Sequence, residues 1–300
     1  MKLVLMLVIR DEEDIIKANL DYHLAAGVDF VMIADHQCLD RTMDIVRDYE
    51  RQGYASVQSK PEPGYYQGRW LTQMAKDAFD GHAADWIIPG DADEFWWVEN
   101  DGTLKQALEQ VPASVPAVGA RRHNFVARSG QNGAGFLSSM TFREVSSLNA
   151  LGDKLPGKVC FRARSDIIVR QGSHDLIVGG EVVKPAAAAN LKVFHFPIRT
   201  KEQFVAKVKV HGEAYLQTDL PGVGGAKRKL YDLYRDDGLE AYLSDKVLSD
   251  DDLAVAIAKG EAVEDTRLRD FFATRGLRQP AMETMAQSGS SLDGPLHSGE

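Results

Sequence analysis

The sequence has few cysteines, no excess of positive charge and no long apolar run, and each absence narrows the class of protein. Two cysteines in 300 residues, Cys38 and Cys160, are too few for a disulfide framework and lack the spacing of a zinc site. We therefore expect two buried thiols in a protein of the reducing cytoplasm. The formal net charge of -9 argues against a cationic surface for nucleic acid, so we expect no nucleic-acid partner.

No segment approaches the ~18 consecutive apolar residues that a membrane-spanning helix needs. The apolar run at residues 1–9 is short, has no small-residue cleavage site and leads directly into the charged stretch Arg10–Asp14. It predicts a β-strand rather than a signal peptide. We expect no transmembrane segment, and peripheral contact with a membrane stays open.

Strand-like and helix-like segments alternate through the first hundred residues. Apolar runs predict strands at residues 3–9, 28–34, 55–60 and 86–88. Helical spacing predicts helices between them, at residues 15–24, 40–49 and 72–79. This alternation predicts an α/β fold with a Rossmann-like, mostly parallel central sheet flanked by helices. The turn after the first strand, RDEED, has no glycine, which disfavours a dinucleotide oxidoreductase.

The rest of the chain predicts a small extra β region followed by helices. Short β-like runs fill residues 115–198, and helical patterns return at 202–216 and 228–248. We expect one domain over residues 1–250, a C-terminal helical extension over 251–284 and a disordered Ser/Gly-rich tail over 285–300.

Two aspartates flank a single alanine where the fourth strand is expected to end. Asp91 and Asp93 would repel each other unless a cation lay between them, and their hard oxygen ligands suit Mg²⁺ or Mn²⁺. The alternative is a solvated turn, because such a triplet arises by chance in a chain with 44 acidic residues.

Polar residues also follow the first and second predicted strands, where a doubly wound sheet binds its ligand. They are Arg10, Asp11, Glu12 and Asp35. Helix capping and an ordinary turn are the alternative explanations for these residues.

The opening LVIRDEEDIIKANLDYHLAAGVDFVMIADHQCLDRTMDIVRDY and the later DADEFW resemble nucleotide-sugar glycosyltransferases of the family 2 type, especially a bacterial branch related to family 92. The resemblance covers residues 1–100 closely and about 100–215 more loosely. It implies the GT-A glycosyltransferase fold, with a nucleotide-binding half over 1–100 and an acceptor half over 101–250. It also implies a metal-dependent transfer from a nucleotide-diphosphate sugar, with UDP as the expected nucleotide and inversion of the anomeric centre.

The resemblance also implies roles for single residues. Asp91 and Asp93 match the DxD motif that carries the metal, and His195 would complete a site for Mn²⁺ or Mg²⁺, although a histidine in an apolar strand is commonly a core residue. The residues expected at the donor nucleotide are Arg10, Asp11, Glu12 and Asp35, and those beside its sugar are Gln67, Arg69 and Trp70. The segment HQCLDRT departs from the usual Asn/Ser-rich turn, which leaves the role of Asp40 open.

Sugar transfer also requires a group that takes the proton of the acceptor hydroxyl. The candidates are His174 and Asp175, between which the sequence does not choose, and Glu94, which could instead form a salt bridge. Among the lysines and arginines after His195, Lys227 and Arg228 are the preferred contacts for the donor's phosphates. Trp96 and Trp97 are either a platform for a sugar ring or part of the core.

Two other functions stay open, and the acceptor, a glycan or another hydroxyl compound, is not readable from the sequence. A nucleotide- or carbohydrate-binding module could keep the fold without turnover. Phosphatases of the haloacid dehalogenase type also use a DxD motif, but on the first strand and before a small hydroxyl residue. Here the motif follows the fourth strand and precedes Glu94 and Phe95.

Overall fold

The computed structural model describes residues 1–130 and 135–277 and is built around an eight-stranded sheet. The strands are β1 (Leu3–Ile9), β2 (Phe30–Asp35), β3 (Ala55–Ser59), β4 (Trp86–Gly90), β5 (Glu94–Val98), β6 (Ala117–Asn124), β7 (Ala127–Arg128), β8 (Phe142–Glu144), β9 (Lys158–Arg162), β10 (Ile167–Val169), β11 (Leu176–Val178), β12 (Glu181–Val183), β13 (Ala186–His195), β14 (Val247–Leu248) and β15 (Ala262–Glu264). The helices are α1 (Ile16–Ala25), α2 (Thr42–Arg51), α3 (Gln67–His82), α4 (Leu104–Glu109), α5 (Phe136–Ser139), α6 (Lys201–Leu216), α7 (Gly225–Arg235), α8 (Leu239–Lys246), α9 (Asp250–Ala258) and α10 (Arg267–Thr274).

The central strand β1 is buried on both faces of the sheet, as its continuous aliphatic sequence predicts. Leu3, Leu5, Leu7 and Ile9 point into one hydrophobic core, while Val4, Met6 and Val8 point into the other. This alternation follows from the two-residue period of a strand. The N-terminal apolar run is therefore the middle of the sheet, with α1 and α2 covering one face and α3 the other.

The sheet is mixed, so the prediction of a mostly parallel sheet is only partly right. Its order is β3-β2-β1-β4-β9-β6-β13-β5, and the first four strands are parallel as predicted. β9 then runs antiparallel to both β4 and β6, and β5 runs antiparallel to β13. Local sequence patterns do not carry strand direction across the sheet, which explains the error.

The carboxyl ends of β2, β1 and β4 meet at one edge of the sheet, as the sequence predicts. The parallel registers pair Ile9 with Asp35 and Leu7 with Gly90, so the residues after these strands start from neighbouring positions. The arrangement brings the polar segment after β1 close to the turn at residues 91–93.

Residues 251–277 pack on the main body of the protein. β15 pairs antiparallel with β8, and Leu268 and Phe272 of α10 join the larger hydrophobic core. The predicted tail at 285–300 and residues 278–284 of the predicted extension lie outside the described residues. Within residues 1–130 and 135–277, no helix is long and apolar enough to cross a membrane.

Candidate active site

A cavity of about 970 Å³ lies against the carboxyl ends of β1 and β4. Its lining includes the turn that follows β4, the end of β13 with His195, one face of α6 and the segment 222–227 that leads into α7. The cavity therefore lies where an open α/β sheet binds its ligand.

The turn that carries Asp91 and Asp93 is tied to α1 by buried polar side chains. The side-chain amide of Asn19 donates hydrogen bonds to the carbonyl oxygens of Ala92 (2.9 Å) and Glu94 (2.8 Å). One turn later on α1, His23 accepts a hydrogen bond from the backbone N–H of Trp96 at 3.3 Å. Sequence reasoning missed Asn19. Its signal was an Asn–His pair, four residues apart, on the apolar face of a helix.

Asp91 is held by a lysine and a glutamine. Lys158 Nζ lies 2.7 Å from Asp91 Oδ2 and 3.0 Å from Glu94 Oε2, and Gln67 donates to Asp91 Oδ1 at 2.8 Å. The Lys158 side chain is only 1% exposed, so these carboxylates are its charge partners. Burial alone would raise the pKa of Asp91, but the charge of Lys158 holds that pKa below its usual range.

Asp93 has its own lysine partner. Lys207 Nζ on α6 lies 2.8 Å from Asp93 Oδ2 and 2.6 Å from Glu12 Oε1. Burial disfavours the charged form of Asp93, but Lys207 outweighs it and holds the pKa of Asp93 well below its usual value. Arg199 pairs with Glu12 at 2.8 Å and with Asp14 at 2.5 Å. Both acidic residues of the motif are therefore ionised in the folded protein.

His195 presents an unprotonated nitrogen to Asp93. The amide of Asn124 donates to Glu144 (3.1 Å) and to the Leu148 carbonyl (3.3 Å), so its oxygen faces His195 and accepts from Nδ1–H at 2.7 Å. Burial lowers the pKa of His195 to about 3, so the ring is neutral and Nε2 carries a lone pair. That nitrogen lies 3.7 Å from Asp93 Oδ2, and two acceptors at this distance suit a cation between them.

The donor chemistry of Asp93 and His195 therefore fits a divalent cation, with Asp91 two residues away on the same turn. Among the described residues, however, no group of three or more His, Cys, Asp or Glu side chains is arranged to hold a metal ion. Asp91 has both oxygens engaged by Lys158 and Gln67. The predicted three-residue metal site stays a proposal.

The predicted nucleotide-binding residues divide into two groups. Arg10, Glu12 and Gln67 line the cavity. Asp11 and Asp35 lie outside its lining. Their carboxylates instead accept hydrogen bonds from backbone N–H groups of the loop at residues 36–42. Asp11 accepts from Leu39 at 2.6 Å, and Asp35 accepts from Cys38 at 2.9 Å. These two aspartates organise the loop.

Arg69 and Trp70 also lie outside the lining of the cavity. Arg69 is exposed and pairs with Glu62 at 2.6 Å, while Trp70 is buried in the core beneath α3. Trp96 is buried, and Trp97 stacks on Phe194 at 5.3 Å, so both tryptophans belong to the core rather than to a sugar platform.

Of the candidate proton acceptors, His174 and Asp175 line the cavity and Glu94 does not. Glu94 is fully buried and paired with Lys158 and with Arg122, whose Nη1 lies 2.8 Å from its Oε1. His174 donates from Nδ1 to the Gly157 carbonyl at 2.8 Å, and burial lowers its pKa to about 4. Asp175 is half-exposed and lies 3.6 Å from Arg170.

Of the two preferred phosphate contacts, Lys227 lines the cavity and Arg228 lies outside its lining. Arg228 Nε donates to the carbonyl of Val223 at 3.2 Å.

Sequence reasoning missed Lys158, Arg122 and Arg199, since nothing near them in the chain indicates their acidic partners.

Comparison with solved structures finds weak similarities, two of which are as follows. S. aureus TarS residues 1–349 in complex with UDP has 16% identity and a TM-score of 0.43, over 81% of this chain and 72% of that chain. Glucosyl-3-phosphoglycerate synthase from Mycobacterium tuberculosis, with Mn²⁺, UDP and phosphoglyceric acid, has 18% identity and a TM-score of 0.29, over 44% and 45%. At these TM-scores the similarities carry no argument about substrate or mechanism.

No curated protein matches this chain. The sequence model of glycosyltransferase family 92 matches residues 8–165, just over half of the chain and including Asp91 and Asp93. The match confirms the family 92 part of the resemblance and leaves the family 2 part unconfirmed. The chain belongs to glycosyltransferase family 92.

Proposed function

We propose that this protein transfers a sugar from a nucleotide-diphosphate donor, with UDP as the nucleotide, to an acceptor hydroxyl, with inversion at the anomeric carbon. The observation that carries the proposal is the pairing of an ionised Asp93 with a neutral His195 at 3.7 Å, at the wall of a large cavity. Family membership supports the reaction class.

Asp91, Asp93 and His195 would hold Mn²⁺ or Mg²⁺ in this proposal. When bound, the cation would supply Lewis-acid stabilisation of the leaving diphosphate. Lys158 and Lys207 keep the two aspartates ionised, and Asn124 keeps the lone pair of His195 Nε2 directed at Asp93. Arg10, Glu12 and Gln67 line the donor end of the cavity.

Inversion needs one displacement at the anomeric carbon. The bond from that carbon to the diphosphate oxygen breaks and leaves its electron pair on the diphosphate, while the acceptor oxygen forms the new bond. The acceptor's proton passes to His174 or Asp175, which are adjacent in the chain and both line the cavity.

A phosphatase that attacks phosphate with the first aspartate of its motif fits this site less well. Asp91 has one oxygen bonded to Gln67 and the other to Lys158, at 2.8 Å and 2.7 Å. The motif also follows β4, whereas such phosphatases carry it on the first strand. A binding module without turnover remains an outcome of the test.

A thermal-shift screen of UDP-, GDP- and dTDP-sugars with and without Mn²⁺ should identify the donor, because ligand binding raises the apparent stability of the native protein. Slow Mn²⁺-dependent hydrolysis of that donor should then fall more than about a hundredfold in Asp93→Asn. The matched control is Asp80→Asn, which changes an exposed aspartate on α3 and should hydrolyse the donor like the wild type.

Donor binding without hydrolysis or transfer would instead identify a binding module. Hydrolysis of a generic phosphomonoester would identify a phosphatase. Unchanged hydrolysis in Asp93→Asn would remove the acidic pair from the proposed mechanism.

A further inference from the structure

One face of α6 forms a wall of the cavity. Lys207, His211 and Tyr215 follow one another at four-residue intervals, so they lie on one side of the helix, and all three line the cavity. Lys209 lies on the exposed side. Lys207 is paired with Asp93 and Glu12, which leaves His211 as the polar residue of this face whose role is unexplained.

Among the residues that the structure describes, neither ring nitrogen of His211 has a hydrogen-bond partner, and both nitrogens are buried. Its ring packs beside Tyr65, with ring centres 5.6 Å apart. The charged and titratable groups that act on it are Lys227, Lys207, Asp91 and His36. A buried polar group without a partner costs free energy, so its retention beside a ligand cavity points to a partner that arrives with the ligand.

The N-terminus of α7 reaches the same part of the cavity. Gly224, which precedes the helix, has a left-handed backbone with φ of 74°, and no side chain caps the first turn. The first N–H groups of a helix have no partner inside the helix, and such an end attracts anions. Residues 222–227 all line the cavity, so this end of α7 faces it.

Lys227, in the first turn of α7, adds an unpaired cation. Among the residues that the structure describes, no carboxylate lies within ion-pairing distance of its ammonium group. The Lys227 side chain is exposed to the open cavity, where desolvation by the cavity walls and the charge of Lys207 lower its pKa. A close approach of the helices brings α7 to α6: a Cβ atom added at Gly212 would lie 2.1 Å from the ring of Tyr231.

We propose that His211 donates a hydrogen bond to the donor's diphosphate, in a subsite completed by Lys227 and the uncapped N-terminus of α7. The inference rests on the proposed function, because it assumes a donor that contains a diphosphate. Asp91, Asp93, His211 and Lys227 all line one cavity, so a diphosphate held beside the acidic pair can reach this subsite. His211, Lys227 and the free N–H groups are donors, which suits phosphate oxygens.

The test compares nucleoside diphosphates with their monophosphates. Calorimetric titrations in saturating Mn²⁺ would measure UDP and UMP, with GDP/GMP and dTDP/dTMP as parallel pairs, against wild type and His211→Phe. Phenylalanine keeps a ring beside Tyr65 and removes both nitrogens. We expect His211→Phe to weaken diphosphate binding about tenfold or more, with monophosphate binding much less affected.

His123→Phe is the matched control. Its ring nitrogens are also buried without a partner, but His123 lies outside the lining of the cavity. It should bind both ligands as the wild type does. His211→Asn keeps a side-chain N–H and should recover part of the lost affinity, which a purely structural role would not predict. Thermal unfolding of each variant checks that it is folded.

The two proposals fail in different ways. If wild type binds none of the nucleoside diphosphates, the proposed function is wrong. If wild type binds one of them and His211→Phe binds it equally well, or loses diphosphate and monophosphate affinity alike, the role of His211 is wrong and the proposed function stands.

Discussion

Two charged clusters face the same cavity and differ in how they are satisfied. In the paired cluster, Asp91, Asp93 and Glu94 have partners in Lys158 and Lys207 within 3.0 Å. In the unpaired cluster, His211 and Lys227 lie beside the open N-terminus of α7 without a partner among the described residues. The charges of the paired cluster are balanced within the fold, whereas we propose that the unpaired cluster gains its partner from a ligand.

The largest change in stability is expected when a cation is removed from the paired cluster. Lys158→Met should lower the free energy of unfolding by about 3–5 kcal/mol, because it removes the buried cation between Asp91 and Glu94 and leaves the fully buried Glu94 with Arg122 alone. Urea denaturation measures the change. Lys76→Met is the control, since Lys76 forms an exposed pair with Asp80 on α3 and should change stability little. Equal effects in the two variants would contradict the comparison.

Lowering the pH should lower the free energy of unfolding through His23, which lies beneath the paired cluster. His23, which bonds to Asn19 beneath the acidic turn, is buried and neutral, and burial lowers its pKa from 6.5 to about 4. Between these values the unfolded chain binds a proton and the folded protein does not, so stability falls as the pH falls from 6.5 to 4. The loss from His23 alone should be about 3 kcal/mol.

Urea denaturation between pH 7 and pH 4 measures this slope in wild type and in His23→Gln. Other groups titrate in the same window, including His174, whose pKa is about 4, so the difference between the two proteins isolates His23. Parallel slopes would show that His23 has the same pKa in the folded and the unfolded protein.

The smallest effect on stability should come from the unpaired cluster. Lys227→Met should leave the free energy of unfolding nearly unchanged, because Lys227 is exposed to the open cavity and forms no ion pair with the described carboxylates. The same variant should weaken nucleoside diphosphate binding about tenfold or more. Lys229→Met changes an exposed lysine of α7 that lies outside the lining of the cavity, so this control should change neither quantity. If Lys227→Met lost as much stability as Lys158→Met, the predicted difference between the two clusters would be wrong.

The secondary structure of the first hundred residues agrees closely with the prediction, because it depends on patterns formed by residues that are near one another in the chain. The predicted strand at 3–9 is β1, and the helix predicted at 15–24 is α1, Ile16–Ala25. The helix predicted at 72–79 extends over Gln67–His82. The prediction began too late because the first turn of the helix contains Gly68, a residue typical of loops. A Cβ atom there would lie 2.9 Å from the backbone of Gln171, so the glycine serves packing rather than a loop.

The candidate site was only half predictable. Asp91 and Asp93 stand out because two carboxylates follow an apolar strand, and their mutual repulsion is a local property. Lys158 is 67 positions from Asp91 in the chain, and nothing in the intervening sequence indicates that they form an ion pair. The same holds for Asn19, whose contacts with the acidic turn span 73 and 75 positions.

By itself, the sequence determined the hydrophobic periods of the strands and helices and the acidic turn at the end of the fourth strand. Only the tertiary structure decided that β9 enters the sheet antiparallel, which brings Lys158 to Asp91. It also decided that α6 and α7 present two lysines to the same cavity, Lys207 paired with Asp93 and Lys227 unpaired among the described residues. The physical reason is the separation in the chain over which each effect acts. Hydrophobic periodicity acts between near neighbours in the chain, while an ion pair depends on distances of a few ångströms that only the packed fold sets.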